Sequence, residues 1–272
     1  VIRIVTDSSS DLPPALAESQ SITIVPLTIR FGDTEYTDRA DLSSAEFWAT
    51  LGTSPHLPET AAPSAGAFAS TYRRLAEEGA EGIVAVTLSS RMSATYQAAV
   101  LGAEAEPSIP VRVIDSATVS MGLGLVALAA ARGAGQGLSL ETLAEAAARD
   151  ARRARLLAAL DTLEMLRRGG RIGGAQALLG GLLDIKPLIT VEDGLVSAAG
   201  KVRTRSKAVD ALVASLAGRT PESIALLHTN PDDVGPLHDR LAALGVPIMP
   251  CLLGAVVGTH TGAGTLGVAY LD

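Results

Sequence analysis

Val1-Ile2-Arg3-Ile4-Val5-Thr6-Asp7-Ser8-Ser9-Ser10-Asp11-Leu12-Pro13-Pro14 opens the chain. An apolar run of strand length ends in a hydroxyl cluster, and two prolines then suit the first turn of a helix. The pattern recurs. Ile83 to Leu88 ends in Ser89-Ser90, with Ser93 and Thr95 just beyond, and Val111 to Ile114 ends in Asp115-Ser116-Ala117-Thr118. Ile224 to Leu227 ends in His228-Thr229-Asn230, and Val256-Val257-Gly258 runs into Thr259-His260-Thr261. If these strands are parallel, their C-terminal ends share one edge, where open α/β folds hold ligands. The clusters carry no strong base, metal-ligand set or phosphate loop, so together they read as a receptor for a small anionic head group. Ser, Thr, Asp and Asn after a strand are also the preferred N-caps of the next helix, and that reading stands beside the first.

The first half alternates strand and helix. Strands are predicted at Ile2 to Val5, at Ile22 to Phe31 with Pro26 marking an edge or an irregularity, at Ile83 to Leu88 and at Val111 to Ile114. Between them the periodicity predicts helices after Pro13, from the Ser43/Glu46 capping box through Trp48, and over Ala65 to Glu78, Ala94 to Ala103, Met121 to Arg132 and Leu140 to Arg153. Ser54 to Pro63 reads as a proline-rich loop. Beyond about residue 155 the pattern changes to short strands, a hairpin around Asp193-Gly194, helices over Lys207 to Ala217 and Asp232 to Leu244, and two terminal strands. The expected fold is α/β: a Rossmann-like parallel-sheet domain over residues 1–155, then a mixed-sheet α+β domain over residues 156–272, with the ligand between them.

Composition narrows the function. Hydrophobic residues make up 47% of the 272 residues but aromatics only 3%, so the interior is walled by aliphatic side chains that suit an alkyl chain as well as an ordinary core. A net charge of -7 argues against nucleic acid as the main partner. The single Cys251 excludes an internal disulfide and fits a reducing compartment. Four scattered histidines without a Cys pair give no structural metal site. Leu241 to Leu271 is poor in charge, yet its prolines and glycines break it into two strands and a loop instead of a membrane span. With a strand at the very start and no leader ahead of it, a cytoplasmic protein is expected.

Gly122-Leu123-Gly124-Leu125-Val126-Ala127 matches the dinucleotide fingerprint in letters but lies too far past its strand to form the tight turn. No P-loop sequence is present. Leu166 to Gly174 supplies a helix end with arginines that complement the dipole, which leaves Arg171 and the later pair Gly180-Gly181 without a role. Lys201, Arg203, Arg205 and Lys207 crowd a helix start, where anions are ordinarily preferred, so they are expected to face an acidic partner or phosphate. His260, set between two threonines, reads either as a structural hydrogen bonder or as a site residue.

Taken together these stretches resemble the DegV family of bacterial fatty-acid-binding proteins. The likeness rests on Val5 to Pro13, Val25-Pro26-Leu27, Thr60 to Ser64, Ser89 to Tyr96, Asp115-Ser116, Gly169 to Ile172, Lys186-Pro187, Val202 to Arg205 and Gly258 to Gly264. It departs at Ala61-Ala62, where the family often has Ser-Gln, at Ala94 for Gly and at Ala263 for Pro. The resemblance implies two domains enclosing a long-chain fatty acid such as palmitate, without a cofactor or catalytic residue of the chain's own. It also implies a separate ATP-binding fatty acid kinase subunit that phosphorylates the bound carboxylate. Thr60 and Ser93 are then expected to bind the carboxylate, with His260 and Thr95 supporting them. Arg171, Arg203 and Arg205 are expected to face the kinase. About fifteen buried methylenes would contribute roughly 12 kcal/mol gross, so the tail supplies affinity. Two other readings remain: a lipid hydrolase with Ser93 as nucleophile and His260 as base, which lacks the nucleophile elbow and an orienting acid, and a lipid sensor that acts without a kinase.

Overall fold

The computed structural model describes residues 1–179 and 185–272, so Gly180-Gly181 lies outside the described residues. In the first part β1 (Ile2–Asp7) leads through a tight 3-10 turn to α1 (Pro14–Ser19) and β2 (Ile22–Val25). Then come β3 (Thr28–Phe31), β4 (Thr34–Thr37), α2 (Ser44–Thr53), β5 (Pro58–Ala61), α3 (Ala65–Glu77), β6 (Gly82–Thr87), α4 (Thr95–Ala105), β7 (Val111–Asp115), α5 (Met121–Gly135) and α6 (Leu140–Arg153). Strands β2-β1-β6-β7, in that order, form a parallel sheet. Its apolar strands, all six residues of β6 buried, are sandwiched between helices as a parallel sheet requires.

The chain then builds a second, mixed sheet. Its elements are β8 (Ala154–Ala159), α7 (Glu164–Arg168), β9 (Lys186–Glu192), β10 (Leu195–Val202), α8 (Arg205–Ala214), β11 (Ile224–His228), α9 (Val234–Ala242), β12 (Ile248–Leu252), α10 (Ala255–Thr261) and β13 (Leu266–Leu271). The order is β10-β9-β8-β13-β11-β12, antiparallel except between β11 and β12. Helix α5 lies between the sheets, and its hydrophobic residues belong to one core cluster that also takes in Leu156, Ala158, Leu227 and Ala269 of the second sheet.

Three sequence expectations are corrected. Ile22 to Phe31 is not one strand: Pro26, with no N–H to donate, divides it, and the halves join different sheets. Residues 54–63 are not merely a loop, because β5 pairs with β3 to complete a small antiparallel sheet, β4-β3-β5. Val256-Val257-Gly258 is helix rather than strand. Gly258 lies so close to α2 that a Cβ there would stand 2.6 Å from Phe47 and 2.8 Å from Trp48. That contact, and the burial of Ala255 and Val256 with Leu27, Ile29 and Phe47, override the strand preference of two valines. Gly122 and Gly124 lie inside α5, and Gly124 lets the helix approach the Ser8–Ser10 turn: a Cβ there would stand 2.8 Å from the Ser10 carbonyl.

The hydroxyl cluster after β1 is turned inward. Asp7 accepts from Ser9 N (3.0 Å) and from Leu88 N (2.8 Å), which joins the ends of β1 and β6. Burial raises its carboxyl to about 6. Asp11 accepts Gly254 N at 2.8 Å, just ahead of α10, and the Ser120 hydroxyl at 2.6 Å, just ahead of α5. Ser120 has φ 56° and ψ −147°, a conformation costly for a residue with a side chain. Burial pushes Asp11 to about 7, partly offset by those hydrogen bonds. A raised carboxyl contributes stability that is full below its unfolded value of 3.8 and is lost as pH rises through about 7. An Asp11→Asn protein cannot ionise there, so its stability relative to the parent should climb over that window. Urea unfolding at about pH 5 and about pH 8 checks this, and a gap that stays constant would show that Asp11 titrates normally.

Candidate functional site

Between the two sheets lies a cavity with about 790 Å³ of space unoccupied by atoms, its open mouth included. The first part contributes Leu27, Leu88, Met92 and Val119, β8 to β11 contribute Leu156, Ala158, Ile189, Val191, Val196 and Leu227, and α10 contributes Val256 and Val257. The wall hydroxyls are already committed. Thr261 donates to Val257 O, Thr265 to Gly262 O and Ser120 to Asp11, so to a ligand tail this wall is aliphatic.

Thr60, His260 and Arg171 line this cavity and also a second, more polar hollow outside it, whose walls include Pro58, Glu59, Arg168 and Gly169. They therefore form the neck between an apolar interior and a polar exterior. Ser93 lines the inner cavity and not the outer hollow. Thr60 is held by the β3–β5 pairing, in register with Ile29. His260 comes from α10, two hundred residues later, and its Nε2 stands 3.0 Å from Thr60 Oγ1. Ser93 follows β6, and its Oγ lies 2.9 Å from Thr95 Oγ1 and accepts Thr95 N at 3.3 Å.

Proton placement follows from these contacts. Burial, with Arg171 acting in the same direction, lowers the His260 imidazole to about 4, so the ring is neutral near neutral pH. Nδ1 is buried with no hydrogen-bond partner among the described residues. A proton there would be stranded, whereas a proton on Nε2 reaches Thr60. With Nε2–H donating, the Thr60 hydroxyl keeps its own hydrogen free. Ser93 is in the same position when Thr95 N–H and O–H fill its lone pairs. Two hydroxyl donors in an aliphatic cavity, Thr60 at its mouth and Ser93 inside, suit a carboxylate.

The seven expected site residues do not share one role. Thr60 and His260 meet at the neck, and Ser93 lines the cavity inside it. Thr95 does neither: it is buried and touches Ser93 from behind. Arg171 was expected to serve a partner rather than the lipid, but it lines the cavity itself. It is exposed, donates to Met92 O (3.1 Å) and Gly169 O (2.7 Å), and pairs with no acid among the described residues. Arg203 is exposed and makes no hydrogen bond or ion pair among the described residues, and it lines neither hollow. Arg205 is not a free cation. It is half-buried, bonded to Asp233 at 2.6 Å and to Gly264 O at 2.7 Å, and so holds the turn that follows α10. The acid lies 28 residues along the chain, where local sequence gives no sign of it.

One residue of the outer hollow, Gly169, was read as a helix end and as part of a family motif, without a role at the site. A Cβ on Gly169 would stand 2.4 Å from His260 Nδ1. The hydrolase arrangement is also disfavoured, because His260 bonds Thr60 instead of Ser93 and, with its pKa near 4, is a weak base. Gly169→Ala, whose backbone φ of −72° suits alanine, should displace the His260 ring while leaving most of the fold's stability. Imidazole NMR should show the parent ring neutral down to about pH 4 and the variant ring titrating closer to 6.5.

A model described as "Uncharacterised protein, DegV family" matches residues 1–272. A DegV domain-containing protein of Streptomyces coelicolor is 42% identical over 275 residues, 98% of this chain and 97% of that one. Among solved structures, a fatty-acid-binding DegV family protein of Thermus thermophilus superposes with a TM-score of 0.91 at 34% identity, covering 100% of this chain and 99% of that one. A stearic-acid-binding protein of Eubacterium ventriosum gives 0.90 at 26% identity, covering 100% and 98%. These neighbours share the parallel α/β sheet joined to a mixed sheet. No described helix is long and apolar enough to cross a membrane.

Proposed function

The chain belongs to the DegV family, and on that premise we propose that it encloses a long-chain fatty acid, such as palmitate, and presents the carboxylate to a separate ATP-dependent kinase. The observation that carries this reading is the shared neck. An aliphatic cavity meets a polar hollow at Thr60, His260 and Arg171, with Ser93 just inside. A tail within the cavity places its head where two hydroxyls donate to it, and the outer hollow gives a phosphoryl donor room to approach. Arg171, which pairs with no acid among the described residues, is suited to the oxygens of a transferring phosphoryl group. Arg203 is suited to an acidic partner surface. Fatty-acid binding by the Thermus and Eubacterium proteins supports the ligand class. In this reading the chain is a lipid-binding subunit that works in the cytoplasm, and ATP is bound by the partner.

Delipidated protein titrated with palmitate should take up one molecule per chain, and no binding of any saturated acid of about twelve to twenty carbons would sink the reading. Thr60→Val and Ser93→Ala should each weaken acid binding by about 1.5–3 kcal/mol, the range for a charge-assisted hydrogen bond, without unfolding. Isothermal titration of both variants checks this.

Arg171→Ala and Arg203→Ala separate the kinase reading from a lipid sensor. Both proteins should still bind palmitate, and both should lose acyl-phosphate formation with a cognate kinase. Added salt should reproduce the docking part of that loss. Undiminished acyl-phosphate formation by both variants would remove the kinase-facing surface from these residues.

A further inference from the structure

The turn that carries Ser93 is held from both sides. On the first-sheet side Ser89 N donates to Thr118 O at 2.9 Å, and Met92 N and Ser93 N donate to Ser89 O at 3.0 and 3.2 Å. On the other side the second sheet reaches across. The Ser89 hydroxyl, fully buried, donates to Gly194 O at 2.6 Å, and the Arg91 guanidinium donates to Asp193 O at 2.8 Å. Ser89 Oγ also accepts Arg91 N at 3.2 Å, so the same hydroxyl shapes its own turn.

Asp193 and Gly194 are the tip of the β9–β10 hairpin. Its strands supply Ile189, Val191 and Val196 to the cavity wall. The tip is built for close approach: Gly194 has φ +75°, and a Cβ there would stand 2.6 Å from Ser89 Oγ. One element therefore touches the tail with its strands and the head-group turn with its tip.

We propose that Ser89 and Arg91 are positioning residues for the carboxylate site. They latch the hairpin tip to the turn of Ser93, so that closing the wall over the tail sets the Ser93 hydroxyl for the head. Neither residue touches the ligand. This rests on the head-group assignment of Thr60 and Ser93 above. The latch also explains why the tip is glycine, since any side chain there would push the hairpin off Ser89.

The test uses the full chain, delipidated, with palmitic acid and hexadecan-1-ol as probes that share a tail and differ in the head. Ser89→Ala and Arg91→Ala should keep the affinity for the alcohol and lose about tenfold in affinity for the acid, the scale of one misplaced hydrogen bond. In the ligand-free variants the Met92 and Ser93 amides should exchange with solvent several-fold faster. A role confined to stability would lower both affinities together or leave their ratio unchanged, and either result overturns the latch. Amides that exchange as in the parent do the same. A parent protein with no preference for the acid overturns the head-group assignment and this proposal with it. An intact parental preference that the variants leave unchanged overturns the latch alone.

Discussion

A single buried carboxylate, Asp11, governs how the two sheets meet. It accepts the amide that precedes α10 and the hydroxyl that precedes α5. Arg39 reinforces the same loop by donating to Leu12 O at 2.7 Å and Ser8 O at 3.2 Å. A charge in such a place is costly unless hydrogen-bonded, and here the bonds also hold Ser120 in a backbone conformation it would not adopt alone. The carboxylate thus fixes the start of the helix whose far end carries His260, and every distance at the neck inherits that choice.

The hydroxyl clusters illustrate how one residue type serves two purposes. Most of them cap or cross-link. Asp7 caps the Ser8–Ser10 turn, Ser43, Ser64 and Ser139 cap α2, α3 and α6, and Asn230 caps the short turn before α9. Thr229 accepts the Gly264 amide at 2.9 Å. Of the clusters that follow apolar runs, the one at His260 reaches the neck and the one at Ser93 lines the cavity inside it. At the edge of the parallel sheet, where open α/β folds hold ligands, Asp7 and its serines fill the end of β1, while Leu27, Leu88 and Val119, beyond β2, β6 and β7, line the cavity between the sheets.

Much of the fold was legible where the signal is local. Alternation of apolar runs with capped helices identified the parallel sheet, and α5 and α6 follow the predicted spans closely. The failures are non-local. Thr60 sits on a strand recognisable only through its pairing with β3. His260 sits on a helix whose valines would suit a strand, and only the rings of Phe47 and Trp48 against Gly258 decide otherwise. Arg205 finds Asp233 through folding, not through sequence. Ser93 and His260 stood out as members of hydroxyl clusters that close apolar runs, but Thr60 was named only through resemblance to a family, because a lone threonine carries no chemical pattern until the chain brings it to His260.

Helix α10 packs against α2, β3 and β5, elements built from residues 28–61, although it is made about two hundred residues later. On a ribosome, then, Thr60 emerges long before the imidazole that hydrogen-bonds it. Until α10 leaves the exit tunnel, the nascent chain has most of its greasy walls and no finished receptor for an anion. A product that ends early, for example at α9, would keep the parallel sheet intact while exposing the apolar seam that α10 covers, a surface suited to chaperones and proteases rather than to a fatty acid.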